Sequence, residues 1–169
     1  MNEAESDELK QSVEQFAWWN FEHHPDTDSY SYVGIEETIE YLDSIVRTQG
    51  PFDGIFGFSQ GGICAAHLLA RQQQGDARFR FSFGIFSAAA LMSDARYAIP
   101  LDSPLPFPSL HIMGEQDALI SVEKSRALAS QFANPVLLVH PGGHYIPTQK
   151  EPRDAWKAFL ALQSAAVRA

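Results

Sequence analysis

The chain has 169 residues, 45% of them hydrophobic, and its 21 acidic against 12 basic residues give a formal net charge of −9. Nucleic acids and anionic membrane surfaces attract clustered Lys and Arg, so neither is an expected partner of this acidic chain. Length and composition indicate one folded domain over 1–169, with 1–15 as a loosely ordered lead-in.

The apolar residues form short runs and helix-spaced patterns that alternate along the chain. The predicted elements are a helix at 33–47, strands at 52–58 and 79–86 with a helix beginning near 63 between them, a strand at 109–113, a helix at 122–132, a strand at 135–140 and a helix at 152–167. No strand is predicted before Val33, and the proline-rich stretch 97–108 is predicted to be a connector. Apolar strands separated by helices indicate an α/β fold: a mostly parallel sheet with helices on both faces.

A G-x-S-x-G motif occupies residues 57–61, between the strand predicted at 52–58 and the helix behind it. This is the pattern of a nucleophile elbow, in which a serine stands at the tip of a sharp strand-to-helix turn and flanking glycines let the backbones approach. The helix N-terminus brings a positive dipole and free N–H groups to the reacting oxygen. We therefore predict Ser59 as a nucleophile and the backbone N–H of Gln60 as an oxyanion donor; the alternative is a glycine turn without chemistry.

A serine nucleophile needs a base and an acid that orients the base, and in hydrolases the acid precedes the histidine along the chain. Asp117 directly follows the strand predicted at 109–113, at the sheet edge where α/β folds bind their ligands. Glu115 is the rival acid, and the alternative role for Asp117 is to cap the next helix. Asp94 and Asp102 fit less well, because no strand directly precedes them.

Only two histidines follow the candidate acid. His140 ends a predicted strand, where an ordinary strand-end side chain is expected. His144 comes after Pro-Gly-Gly, a loop that lifts a side chain clear of the sheet, so it is the predicted base for a serine on a neighbouring strand. The remaining histidines are expected at surface or packing positions: His23, His24, His67 and His111.

The single cysteine, Cys64, lies in the apolar helix after Ser59 and is expected to be a core residue. One cysteine excludes an intrachain disulfide and fits a reducing compartment, and the polar N-terminus does not resemble a leader, so a cytoplasmic protein is expected. No histidine pair has the spacing and context of a zinc site, and no metal is expected.

Three segments resemble the FSH family of serine hydrolases: residues 50–61, 108–117 and 141–147. The pair Trp18-Trp19 also falls where that family has two aromatic residues, and the resemblance extends to Leu162. It implies an α/β-hydrolase fold and an esterase or thioesterase that uses no metal or organic cofactor. It also implies that Ser59, Asp117 and His144 form the catalytic triad.

The chain departs from this family before Val33. Family members begin with a strand and a His-Gly turn, whose loop donates the second oxyanion N–H, and His24-Pro25 is no substitute. We expect a form shortened at its N-terminus, in which the strand at 52–58 has an unpaired edge. Efficient catalysis then depends on a single predicted oxyanion donor.

The expected substrate is a small ester or thioester with an apolar acyl chain, and the oligomeric state is left open. Phe58, Trp18 and Trp19 are the candidate substrate-binding residues, with Phe56 and Phe83 as further aromatic candidates; core packing is the alternative for all five. Two other functions remain open. One is a catalytically impaired binding module with the hydrolase fold, and the other is an acyl-protein thioesterase, a group that shares the elbow sequence but matches the Pro-Gly-Gly-His segment less well.

Overall fold

Four parallel strands form the main sheet of the computed structural model, which describes residues 16–27, 29–98 and 103–167. The strands lie in the order β3-β4-β5-β6, and a separate two-stranded antiparallel sheet pairs β1 with β2. In chain order the elements are β1 (Asn20–His24), β2 (Ser29–Val33), α1 (Ile35–Gln49), β3 (Gly54–Phe58), α2 (Gln60–Gln73), β4 (Phe83–Ser87), a short 3₁₀ turn (Ala95–Tyr97), β5 (Ser109–Gly114), α3 (Val122–Ala129), β6 (Pro135–His140) and α4 (Lys150–Val167).

Helices cover both faces of this sheet, as the sequence predicts. Successive residues of β4 point to opposite sides: Phe86 packs in one core with Leu69 of α2 and Leu128 of α3, whereas Ile85 packs in another with Phe159 of α4. The central strands are buried on both faces, which explains their continuous apolar sequence.

The hairpin β1–β2 corrects the prediction that no strand precedes Val33. Its register pairs Asn20 with Val33 and Phe21 with Tyr32. Tyr32 of β2 is buried, and its ring stacks on that of Trp19 at 5.3 Å between centroids. Tyr30, two residues earlier on the same face, is exposed. These strands do not join the main sheet.

A buried carboxylate, that of Asp94, fastens the hairpin to the segment after β4. It accepts a hydrogen bond from the backbone N–H of Tyr32 at 2.7 Å and pairs with the guanidinium of Arg96 at 2.6 Å. The hydroxyl of Tyr32 also lies within hydrogen-bond distance of Ser93, at 2.5 Å. The hairpin and residues 93–96 are therefore held together by the carboxylate of Asp94 and by the bonds that Tyr32 makes with Ser93 and Arg96.

Several boundaries differ from the predicted ones. The strand predicted at 79–86 begins only at Phe83, because Phe79 and Phe81 turn into the core before pairing starts. The helix predicted at 122–132 ends at Ala129, and Phe132 packs in the same core. No helix in the described part of the chain is long and apolar enough to cross a membrane.

The strand β3 pairs only with β4 among the described residues, so it forms one edge of the sheet, as expected. Phe56, in the middle of this strand, is 47% exposed, and its ring contacts that of Trp156 at 5.0 Å. This edge strand carries the elbow at its carboxyl end.

Candidate active site

Ser59 lies between the last residue of β3 and the first residue of α2, in a turn that only glycine neighbours permit. Its φ of 53° is in the left-handed region, which is uncommon for a non-glycine residue. A Cβ added to Gly57 would lie 2.1 Å from the carbonyl oxygen of Gly61, so the two backbones cross in contact. The serine N–H donates to the carbonyl of Ser87 at 2.9 Å, which ties the turn to β4.

The backbone N–H of Gln60 begins helix α2, where the first amides have no partner within the helix. No acceptor for it is found in the described ranges. The helix dipole adds positive potential at this point. The Gln60 N–H can therefore bind a negative oxygen formed beside Ser59.

Asp117 is buried just beyond the end of β5. Its Oδ1 accepts from the N–H groups of Leu119 and Ile120 at 2.9 and 2.8 Å, and its Oδ2 lies 2.8 Å from Nδ1 of His144. Burial by itself raises the pKa of Asp117, but the hydrogen bonds from Ile120, His144 and Leu119 outweigh it and lower this pKa below its ordinary value. The carboxylate is thus held in its ionised form.

His144 connects this carboxylate to the serine. Its Nε2 lies 2.9 Å from Oγ of Ser59 and its Nδ1 contacts Asp117. A carboxylate only accepts hydrogen bonds, so Nδ1 carries the proton and donates it, which leaves Nε2 of the neutral ring to accept from the serine hydroxyl. The structure brings the three predicted side chains into one hydrogen-bonded chain.

The loop that carries His144 reaches farther than predicted. His144 follows β6, and two strands separate β6 from β3, so the serine is not on a neighbouring strand. The N–H of Gln116 donates to the carbonyl of Gly142 at 3.0 Å, and the loop lies so close to β5 that a Cβ on Gly114 would be 2.4 Å from that same carbonyl oxygen. Backbone contacts therefore guide the loop back across the sheet.

The rival acids and bases lie elsewhere. His140 is buried, and its Nδ1 accepts from the N–H of Gly142 at 3.2 Å, so it supports the loop. The side chain of Glu115 is exposed, and the carboxylate of Asp94 binds Tyr32 and Arg96. Asp102 lies outside the described residues. Cys64 packs in the core as predicted, and burial raises the pKa of its thiol to about 12.

The three candidate substrate-binding aromatics occupy different environments. The ring of Phe58 lies 4.9 Å from that of His144, at the site. Trp18 is 37% exposed, and its indole Nε1 would lie 3.1 Å from a Cβ added to Gly61. Trp19 is a correction: its ring is buried in the core against Tyr32, so packing explains it.

Sequence reasoning missed the side chain of Gln60 and considered only its backbone. This side chain forms hydrogen bonds with Trp18 and Trp19. The one clue in the sequence is an amide side chain next to the serine, and its partners are distant in the chain.

An apolar cavity of ≈ 200 Å³ runs along one face of α2. It begins at Ile63, one helical turn after Ser59, and its opposite wall is the segment 90–92 that follows β4. Ser87, three residues before that segment, accepts a backbone hydrogen bond from the N–H of Ser59, which directly precedes α2. The remaining lining residues are mostly small or apolar: Ala66, His67, Ala70, Tyr97, Ala98, Leu105, Leu128 and Gln131.

Within the described ranges, no group of three or more His, Cys, Asp or Glu side chains could hold a metal ion. The site is therefore described by its serine, imidazole, carboxylate and backbone amide groups.

Comparison with known proteins gives a family. A family model described as serine hydrolase (FSH1) matches residues 1–156. The chain is 37% identical over 154 residues to Esterase OVCA2 of Xenopus tropicalis, an alignment that covers 87% of this chain and 66% of that protein. The chain spans about two thirds of the length of the OVCA2 esterases that it matches.

Solved structures show the same fold. Acyl-protein thioesterase 2 of Zea mays superposes with a TM-score of 0.64 at 17% identity, over 87% of this chain and 72% of that one. An alpha/beta fold family hydrolase of Bacillus anthracis gives a TM-score of 0.54 at 13% identity, over 76% and 73% of the two chains. At these identities the similarity concerns the fold alone.

Proposed function

Because this chain belongs to the FSH1 family of serine hydrolases, we propose that it cleaves a carboxylic ester or thioester of an apolar acyl chain through an acyl-enzyme on Ser59. The observation that carries the proposal is the hydrogen-bonded chain from Ser59 through His144 to Asp117. In this proposal Ser59 is the nucleophile, His144 the general base and Asp117 the residue that orients the base.

The first half of the reaction forms the acyl-enzyme. Oγ of Ser59 attacks the acyl carbon as its proton passes to Nε2 of His144, and the carbonyl oxygen becomes negative. The Gln60 N–H stabilises that oxyanion, and the ionised Asp117 stabilises the imidazolium. When the intermediate collapses, the alcohol or thiol leaves with the proton from Nε2.

The second half repeats these roles with water. His144 takes a proton from a water molecule, the resulting hydroxide attacks the acyl carbon, and a second oxyanion forms. Collapse releases the carboxylic acid, and the proton on Nε2 returns to Oγ of Ser59. No step needs a group beyond these side chains and the Gln60 amide.

The cavity along α2 supports an apolar acyl chain as the bound group. Its lining includes Ile63, Leu91 and Met92. The two segments that carry these residues follow Ser59 and Ser87, whose backbones are hydrogen-bonded to each other. Burying a methylene group contributes about 0.8 kcal/mol, so a chain lying in this cavity gains affinity with its length.

A catalytically impaired binding module is the second candidate, and one observation favours it. The sequence predicts a single oxyanion donor, and the strand that carries the elbow pairs only with β4 among the described residues. Loss of one such donor costs about 10²–10³ in turnover in enzymes where it has been removed.

Labelling with a fluorophosphonate probe distinguishes these candidates. A working site reacts covalently with the probe, and Ser59→Ala abolishes the reaction while the circular dichroism spectrum stays that of the wild type. A folded wild-type chain that does not label would favour the binding module. Comparing an oxygen ester with the thioester of the same acyl chain then identifies the leaving group, and palmitoylated peptides test the acyl-protein thioesterase alternative.

Two coarser expectations accompany this proposal. We propose one hydrolase domain, because a single core cluster joins the hairpin, α1, α2 and α3. We also propose a reducing, cytoplasmic setting, for which the support is a single, buried and unpaired cysteine.

A further inference from the structure

The side chain of Gln60 makes two hydrogen bonds that the proposed reaction does not use. Its Oε1 accepts from the backbone N–H of Trp18 at 2.8 Å, and its Nε2 donates to the carbonyl of Trp19 at 2.9 Å. A primary amide carries an acceptor and donors side by side, so it pairs with a backbone as another peptide group would. The residue with the proposed oxyanion N–H therefore also binds, through its side chain, the backbone of Trp18 and Trp19, about 42 residues earlier in the chain.

Other parts of the fold also hold the segment of Trp18 and Trp19 in place. The hydroxyl of Thr38, in α1, donates to the carbonyl of Trp18. The ring of Trp19 is buried at 2% exposure and stacks on Tyr32. Gln60 therefore connects the first turn of α2 to a segment that is itself held by α1 and by core packing.

The segment lies against the elbow itself. The nearest atom to a Cβ built on Gly61 is Nε1 of the Trp18 indole, at 3.1 Å. The indole therefore lies against the backbone of the first turn of α2, the turn that begins with the proposed oxyanion N–H. A covering ring limits water access, and an electrostatic contact strengthens where water is excluded.

We propose that Gln60 is a positioning residue, whose side chain holds Trp18 over the first turn of α2 and thereby keeps the Gln60 N–H aligned with the oxyanion. The inference rests on the proposed function. The side chain and the N–H belong to one residue, so a rotation that tilts the N–H away also strains both side-chain bonds.

The same helix contains a matched control. Gln72 also uses its amide on a distant backbone: Oε1 accepts from the N–H of Phe81 at 2.9 Å, and Nε2 donates to the carbonyl of Phe81 at 3.0 Å. Both glutamines are half-buried. Gln60→Met and Gln72→Met therefore each remove two equivalent hydrogen bonds with little change in volume, near the serine in one case and far from it in the other.

The test uses the full chain and four variants: Gln60→Met, Gln72→Met, Thr38→Val and the double variant of Gln60→Met with Thr38→Val. The measurements are the rate constant for fluorophosphonate labelling, kcat and KM for a p-nitrophenyl ester, and the denaturant midpoint. We expect Gln60→Met to lower kcat and the labelling rate constant about tenfold with KM within about twofold, since misalignment acts on the transition state. Gln72→Met lowers the midpoint to a similar extent and leaves both rates within about twofold of the wild type.

Thr38→Val tests the route through Trp18, because it leaves Gln60 intact. We expect Thr38→Val to lower kcat and the labelling rate constant as well. The double variant should be no slower than Gln60→Met alone, because both changes release the segment of Trp18 and Trp19. Thr38→Val carries the test by itself if Gln60→Met does not fold.

The outcomes separate the two proposals. If the folded wild type does not label, the proposed function fails and this inference fails with it. If the wild type labels but Gln60→Met matches Gln72→Met in both rates, or Thr38→Val leaves kcat unchanged, the positioning role alone is overturned.

Discussion

The imidazole of His144 lies 2.9 Å from the hydroxyl of Ser59, although 85 residues separate them and their strands are at opposite edges of the main sheet. With neighbouring strands about 4.8 Å apart, the base must return roughly 14 Å across the sheet. The Gly142-Gly143 turn makes this return possible by lying directly on β5. Asp117 follows β5, the strand next to β6, and its carboxylate contacts the ring of His144.

Substitutions in the proposed triad should lower turnover to different extents. Ser59→Ala is expected to abolish turnover, and Asp117→Asn to lower kcat by about 10³–10⁴, because an amide at this position no longer favours the proton on Nδ1. Steady-state hydrolysis of a p-nitrophenyl ester measures both. Glu115→Gln, at an exposed acid two residues from Asp117, is the control and should keep its activity. An equal loss in Glu115→Gln would contradict the assignment of the acid.

The crossing of backbones at the elbow predicts a sharp difference between two alanine substitutions. Gly57→Ala places a Cβ 2.1 Å from the carbonyl oxygen of Gly61, whereas the nearest atom for Gly61→Ala is a side-chain nitrogen at 3.1 Å. We expect Gly57→Ala to cost about 3 kcal/mol of unfolding free energy or to prevent folding. Gly61→Ala should fold with a smaller loss, since the indole of Trp18 can move. Denaturant unfolding decides, and equal stability of the two variants would speak against a close crossing of the backbones around Ser59.

The proposed acyl cavity predicts a change in chain-length preference. Ala66→Leu adds branched carbon to the wall of a cavity of ≈ 200 Å³, so it competes with the distal part of a long chain. We expect kcat/KM for a decanoate ester to fall about tenfold while that for an acetate ester stays within about twofold. The matched control is Ala161→Leu, on the exposed face of α4. If Ala66→Leu lowers both esters alike, the long chain binds elsewhere.

Two of the buried histidines, His67 and His111, should make the fold sensitive to mild acid. Burial lowers the pKa of His67 and of His111 from 6.5 to about 4, with Arg71 contributing at His67. The unfolded chain then binds more protons, so stability falls as the pH drops from 6.5 towards 4, by roughly 3 kcal/mol for each histidine.

His111→Phe tests this dependence, because a phenyl ring suits a site between the rings of Phe86 and Phe132. The unfolding free energy, measured by urea titration at several pH values, should lose roughly 3 kcal/mol of its decrease between pH 6.5 and pH 4. The variant leaves the hydroxyl of Ser109 without its 3.1 Å contact to the imidazole, a cost that does not vary with pH. An unchanged pH slope would mean that His111 takes up its proton without unfolding.

Much of this architecture follows from local sequence. The helix spacing, the apolar strands and the motif around Ser59 predict the alternation of elements, because burial on both sheet faces demands those patterns. The proximity of Asp117 and His144 was predictable for a similar reason: each follows a strand, and parallel strands end at one sheet edge.

What the sequence did not reveal depends on contacts between distant residues. The strand β2 alternates serine with tyrosine, and only the stacking of Tyr32 on Trp19 shows which face is buried. The path of His144 across two strands is set by backbone contacts with β5, which leave no pattern beyond two glycines. The amide of Gln60 has partners so far away that no local rule connects them.

The carboxylate of Asp94 has a mechanical consequence. It joins β2 to a stretch that lies between two parts of the lining of the proposed acyl cavity, residues 90–92 and 97–98. Removing this carboxylate takes away the bond to the Tyr32 N–H and the partner of Arg96, and leaves the bonds of Tyr32 with Ser93 and Arg96 to hold the hairpin against that stretch.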